Sequence, residues 1–151
     1  MRLPIHNHFG LTEAFNIFEE EEGIAADTDR HQQLASDVRA PVEAWCREAA
    51  IEFNAVNEHE RSDSVTCVRV SADYDANQVI KVAREKYNLT MGSGIGPLAG
   101  SAFRIGHLAD LTVPIVLGAL GALEQSLRTC RVPIGSGGLE AAAQQLSEAS
   151  R

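Results

Sequence analysis

The sequence predicts an α+β fold, a small mixed or antiparallel β-sheet covered by helices. Three observations carry that expectation. Helical apolar spacing occupies both ends of the chain, short β-branched or glycine-bounded runs occupy the middle, and one amphipathic helical segment divides those runs. The order reads α-α-β-β-α-β-β-α-α, with a helical crossover between the strands near 65 and 89 and the helices on one face. At 151 residues the chain has the length of a single domain, 1–151. A domain of this size buries roughly 70% of the surface its unfolded chain exposes.

Residues 1–10, "MRLPIHNHFG", lack periodicity and contain Pro4 and Gly10, so they read as an extended leading segment. From Leu11 the pattern turns helical. Leu11, Ala14, Phe15 and Phe18 share a face, with Thr12 as the cap and Gly23 as the stop. The acidic run at 19–22 reads as a solvated helix end. A second helix over 27–48 places Leu34, Val38, Val42, Trp45 and Cys46 at helical spacing. Pro41 should kink or divide it, because proline lacks the amide that a helix interior needs.

"IEFNA" is a weak strand, whereas "SVTCVRV" alternates Val65, Cys67 and Arg69 against Thr66, Val68 and Val70. Asp75 then caps a helix running to about Tyr87, with Val79, Val82 and Ala83 facing inward. "LTMGSG" and "SAFRIGH" predict two more strands around a glycine loop. Helices over 113–130 and 138–147, joined by "RVPIGSGG", complete the chain.

Bulk properties narrow the function. A net charge of -8 with only Lys81 and Lys86 as lysines argues against a nucleic-acid partner, which requires clustered basic side chains. The segment "LTVPIVLGALGAL" is too short to span a bilayer, which takes about 20 apolar residues, so no membrane association is expected. Cys46, Cys67 and Cys130 are widely spaced and form no CxxC, which suits reduced thiols in a cytoplasmic protein.

The chemistry centres on "MGSGIGPLAGSAFRIGHLAD", 91–110. A dinucleotide loop would need a third glycine where Pro97 stands, and a phosphate-binding Walker loop would need a GK[ST] step that is missing. Gly92, Gly94 and Gly96 therefore read first as turn formers that supply positive φ. Arg104, flanked by Phe103 and Ile105 in a strand, must meet solvent or an anionic partner, and its planar fork suits a carboxylate. His107 either orients a substrate or caps the next helix, the structural role being favoured. His6 and His8 resemble a metal pair by spacing alone, without an evident third ligand, so the segment reads as an interface and no metal is expected.

The stretch "GSGIGPLAGSAFRIGHLAD" resembles the carboxyl-terminal signature of class V aminotransferases, in particular the alanine/serine–glyoxylate group. "HFGLTEAFNIFEEEEGI", "RHQQLASDVRAPVEAW", "SVTCVRV" and "VAREKYNLTMGSG" follow the order of that family's small domain, so the resemblance covers nearly the whole chain. It implies the small-domain fold of fold-type I pyridoxal phosphate enzymes. It also implies a substrate carboxylate bound at Arg104, in transfer of an amino group from serine or alanine to glyoxylate. Ser101 departs from a basic residue common in similar sequences, and Ala109 from a frequent glycine.

Such enzymes hold pyridoxal phosphate on a lysine of a large domain. Lys81 and Lys86 lie in a helix and follow no suitable strand, so covalent binding of the cofactor by this chain is not expected. The large domain would be missing or on another chain, in a homo- or hetero-oligomer, and this chain alone would be inactive. Exposed apolar surface is expected where that domain docks, including the leading segment. The alternative is a non-catalytic, free-standing ligand-binding or oligomerisation module, or a truncated fragment.

Overall fold

A computed structural model describes residues 5–149. Helix α1, Ile5–Ile17, passes through a π-helical turn, Phe18–Glu22, into α2, Gly23–Trp45. The expectation of an extended leading segment is corrected over 5–10, which are helical; residues 1–4 lie outside the described residues. Gly10 is accommodated inside this helix, along which Ile5, Phe9 and Leu11 extend the apolar content backwards. Gly23 does mark the break, with φ +76° at the end of the π-turn. Pro41 does not divide α2: the helix runs through it, and Pro41 is buried between Val38 and Val42 on the packed face.

After a single 3-10 turn, Cys46–Glu48, the chain enters β1, Ile51–Phe53, and then β2, Val65–Val70. Thr66, Val68 and Val70 are buried while Arg69 is exposed, as the alternation predicts. Helix α3, Ala76–Tyr87, starts at Asp75, whose carboxylate accepts from the Asn77 amide at 2.8 Å. Strand β3 is only Gly92–Ser93, followed by β4, Ala102–Gly106. Helices α4, Val113–Thr129, and α5, Gly138–Ala149, complete the described chain.

The sheet order is β1-β2-β4-β3 and every neighbouring pair is antiparallel. Helix α3 crosses from β2 to β3, but the two strands it joins are not neighbours, because β4 returns between them. Helix α2 packs on β2, α3 on β3 and β4, α4 on α3 and α5, and α5 on α2. All cover the face carrying Val68 and Phe103, where Val42, Trp45, Ile51, Leu120 and Leu127 complete the core. Inside it, Trp45 donates from Nε1 to a carboxylate oxygen of Glu124 at 3.0 Å, while Arg128 holds the other oxygen at 3.0 Å. The buried indole and carboxylate thus satisfy each other. The opposite sheet face, with Glu52, Cys67, Arg69 and Arg104, is left open by the helices.

Candidate functional site

Arg104 sits in the middle of β4 with Cys67 of β2 opposite it on one side and Gly92 of β3 on the other. Its side chain leans toward β3. A Cβ built on Gly92 would meet Arg104 Nε and Nη2 at 3.2 Å each, so the guanidinium lies where a side chain would otherwise stand. Nε donates to the Ser93 carbonyl oxygen at 2.9 Å. On the same face, Arg69 spends its charge on Glu52 across the strand pair at 3.3 Å. Arg104 has no acidic side chain within ion-pair reach among the described residues, and it is half-buried.

The loop between β3 and β4 folds upon itself. Gly94 approaches the Leu98 carbonyl so closely that a Cβ there would overlap it, and Gly96 has φ +57° at the start of a 3-10 turn, Gly96–Leu98. The amides of Leu98, Ala99 and Ser101 bond to the carbonyls of Ile95, Gly96 and Leu98. These donors are consumed within the loop, as a turn former requires and an anion cradle does not.

His107 is fully buried at the end of β4. Nε2 lies 3.0 Å from Thr66 Oγ1 and Nδ1 lies 3.1 Å from the Asp63 carbonyl oxygen, while its backbone amide donates to Ser64 at 3.1 Å. Burial holds its pKa below the ordinary value; the Arg39 charge pushes the same way, and the Asp63 carbonyl opposes both. His107 does not cap the following helix, whose N-cap position is Thr112. Arg39 in turn donates to the Ser62 carbonyl at 2.7 Å and to Asp63 Oδ1 at 3.2 Å. The β4 end is thereby clasped to the segment preceding β2.

An apolar groove of about 530 Å³ lies beside Arg104, between the splaying β3 and β4 segments and helix α4. Met91, Gly92, Ile105, Leu111, Ile115 and Leu120 are among its walls. Leu108, Val113 and Ile115 add exposed apolar surface near it, and nothing on α1 is buried: Ile5, Phe9, Leu11, Phe15 and Ile17 all face solvent.

Other sequence candidates are not brought here. Lys81 and Lys86 are exposed on α3, outside the groove. The residues present therefore do not fit a covalently held pyridoxal phosphate. His6 and His8 are exposed on α1, two residues apart, which on a helix points them to nearly opposite sides. Among the described residues no group of three metal-ligating side chains forms. The Ser93 carbonyl and the groove escaped the sequence reading. A glycine inside a strand, here Gly92, was the available sign of a close approach.

No family model matches the sequence. Curated relatives do. The chain is 39% identical over 124 residues to the L-aspartate–glyoxylate aminotransferase of Paracoccus denitrificans, covering 82% of this chain and 30% of the relative. It is 36% identical over 146 residues to the serine–glyoxylate aminotransferase of Methylorubrum extorquens, covering 96% and 35%. The chain matches a fragment of a class V aminotransferase. Solved structures agree with this assignment. The ureidoglycine–glyoxylate aminotransferase of Bacillus subtilis superposes with a TM-score of 0.74 at 26% identity over 84% of this chain and 32% of that one. The alanine–glyoxylate aminotransferase of a Nostoc species does so with a TM-score of 0.67 at 27% identity, over 85% and 33%. This aminotransferase segment thus spans about a third of the length of the relatives it matches, with the α+β architecture they share.

Proposed function

We propose that this chain is the substrate-binding small domain of a pyridoxal phosphate-dependent aminotransferase that uses glyoxylate, with Arg104 as the anchor for the substrate carboxylate. The observation that carries the reading is Arg104 itself. It is half-buried, fixed at Nε, free of an acidic partner among the described residues, and set in a segment that matches glyoxylate aminotransferases. A guanidinium so held presents a charge-assisted fork at little further ordering cost, and a carboxylate anchored there orients the substrate Cα toward a cofactor. The cofactor, when bound, supplies the electron sink for amino transfer. A complementary cofactor-binding domain provides it, together with the lysine. Arg104 binds and orients, and His107 with both ring nitrogens engaged holds β4 in place.

The docking surface for that domain is the apolar helix α1 together with Leu108, Val113 and Ile115. Its apolar residues lie exposed around the helix, none of α1 being buried, as suits a surface that a partner covers.

The test is a chimera in which this chain replaces the matching third of the Methylorubrum extorquens enzyme. Amino transfer to glyoxylate is expected, and Arg104→Ala should lose about 2–3 kcal/mol of charge-assisted hydrogen bonding, a fall of about 30–150-fold in kcat/KM. A cofactor-loaded chimera whose kinetics ignore Arg104→Ala would overturn the reading.

A further inference from the structure

Arg104 has two neighbours across the sheet, and they are unequal. Cys67 carries a side chain and Gly92 does not. Nothing in the strand conformation requires glycine at 92, since its φ is not in the left-handed region; what requires it is space. A Cβ would come within 3.2 Å of both Nε and Nη2 and within 3.3 Å of Arg104 Cβ, tighter than ordinary van der Waals contact. A side chain at 92 would crowd the guanidinium and push it away from β3. It would then lose the Ser93 carbonyl, which accepts from Nε at 2.9 Å.

We propose that Gly92 and the Ser93 carbonyl are positioning elements for Arg104, which together select how a carboxylate can approach it. The inference rests on the anchoring role proposed above. A guanidinium offers a carboxylate two forks, one made by Nε with a terminal nitrogen and one made by the two terminal nitrogens. Nε carries a single hydrogen, and Ser93 takes it. The side fork is closed. Only the terminal fork, Nη1 with Nη2, remains for a bidentate carboxylate, so the bound group lies end-on beyond the guanidinium, along the line on which Gly92 and Ser93 lay it. Gly92 permits the pose and the Ser93 carbonyl locks it, so the ligand meets an arginine whose rotamer is already chosen.

The experiment uses the whole 151-residue chain, labelled with ¹⁵N, and follows the arginine Nε–H resonances with and without glyoxylate. In the parent, the Arg104 Nε–H is expected to be slow to exchange and as rigid as backbone, and glyoxylate should shift the Nη signals of Arg104 while leaving Nε bonded. Gly92→Val suits a strand and should keep the fold, checked by its amide spectrum, yet should free Nε–H and weaken glyoxylate binding at least about tenfold. Gly92→Ala, the smaller intrusion, should fall between the two. A parent Nε–H as mobile as that of an exposed arginine overturns the inference. So does a folded Gly92→Val chain that keeps Nε–H locked or binds glyoxylate as tightly as the parent. A locked Nε–H with no response of Arg104 to glyoxylate sinks the carboxylate anchor and with it the end-on selection, while the Gly92 and Ser93 contacts themselves would stand as measured.

Discussion

At the scale of single residues, backbone conformation and protonation both leave measurable traces. Ala109 has φ +75°, a left-handed conformation that costs a non-glycine residue about 1–2 kcal/mol. Arg30 helps to hold it there, donating from Nη1 to the Ala109 carbonyl at 2.9 Å. Ala109→Gly relieves the strain and loosens the unfolded chain, and the net expectation is a gain of about 0.5–1 kcal/mol, read from urea unfolding. His107 makes the fold sensitive to acid. Burial lowers its pKa from 6.5, so the unfolded chain takes up the proton first as pH falls. Stability is full above pH 6.5 and declines as pH falls from there through the folded value. His107→Gln should be less stable at neutral pH but flatter across that window, as denaturation midpoints at a series of pH values would show.

At the scale of elements, α1 and β2 illustrate opposite relations between sequence and packing. The alternation in β2 and the apolar spacing in α3 each had a facing surface in the same chain, so their buried residues were readable in advance. Helix α1 has apolar residues and no surface here to bury them on, which is why its start was misread: the rule that hydrophobic faces mark helices assumes a core to face. Replacing Phe9 and Phe15 with serine should therefore change the unfolding midpoint of this chain negligibly, within about 0.5 kcal/mol. The same pair should abolish association with the cofactor-binding portion of a relative, measured by sedimentation or titration calorimetry. Strand β3 was expected to be longer than two residues. It pairs with β4 only at Gly92 and Ser93, and the groove opens before it, where residues 89–91 run unpaired past Ile105 and Gly106.

At the scale of the whole molecule, the chain has a core, a four-stranded sheet and a half-buried arginine at 104, but neither of its lysines lines the groove that includes that residue. Mixed with pyridoxal phosphate and reduced with borohydride, it should yield no stoichiometric adduct at Lys81 or Lys86 by mass spectrometry. A specific, saturable adduct at either would show that this chain can hold the cofactor by itself, contrary to the proposal.

What the sequence by itself determined was local and periodic. Element order, the buried face of β2, the Asp75 cap, the positive-φ turn at Gly96 and the isolation of Arg104 as a charge in an apolar strand follow from residue type and spacing, which act within a few residues; Gly92 and Gly94, expected to supply positive φ too, do not, and Gly92 lies in β3. Tertiary structure alone decided the rest. That β4 returns between β2 and β3, that Arg104 leans over Gly92 onto the Ser93 carbonyl, and that His107 is spent on Thr66 and Asp63 depend on residues 11 to 44 positions apart in the chain. Such contacts arise when strands pair and cores close. No local propensity encodes which distant partner a side chain will meet.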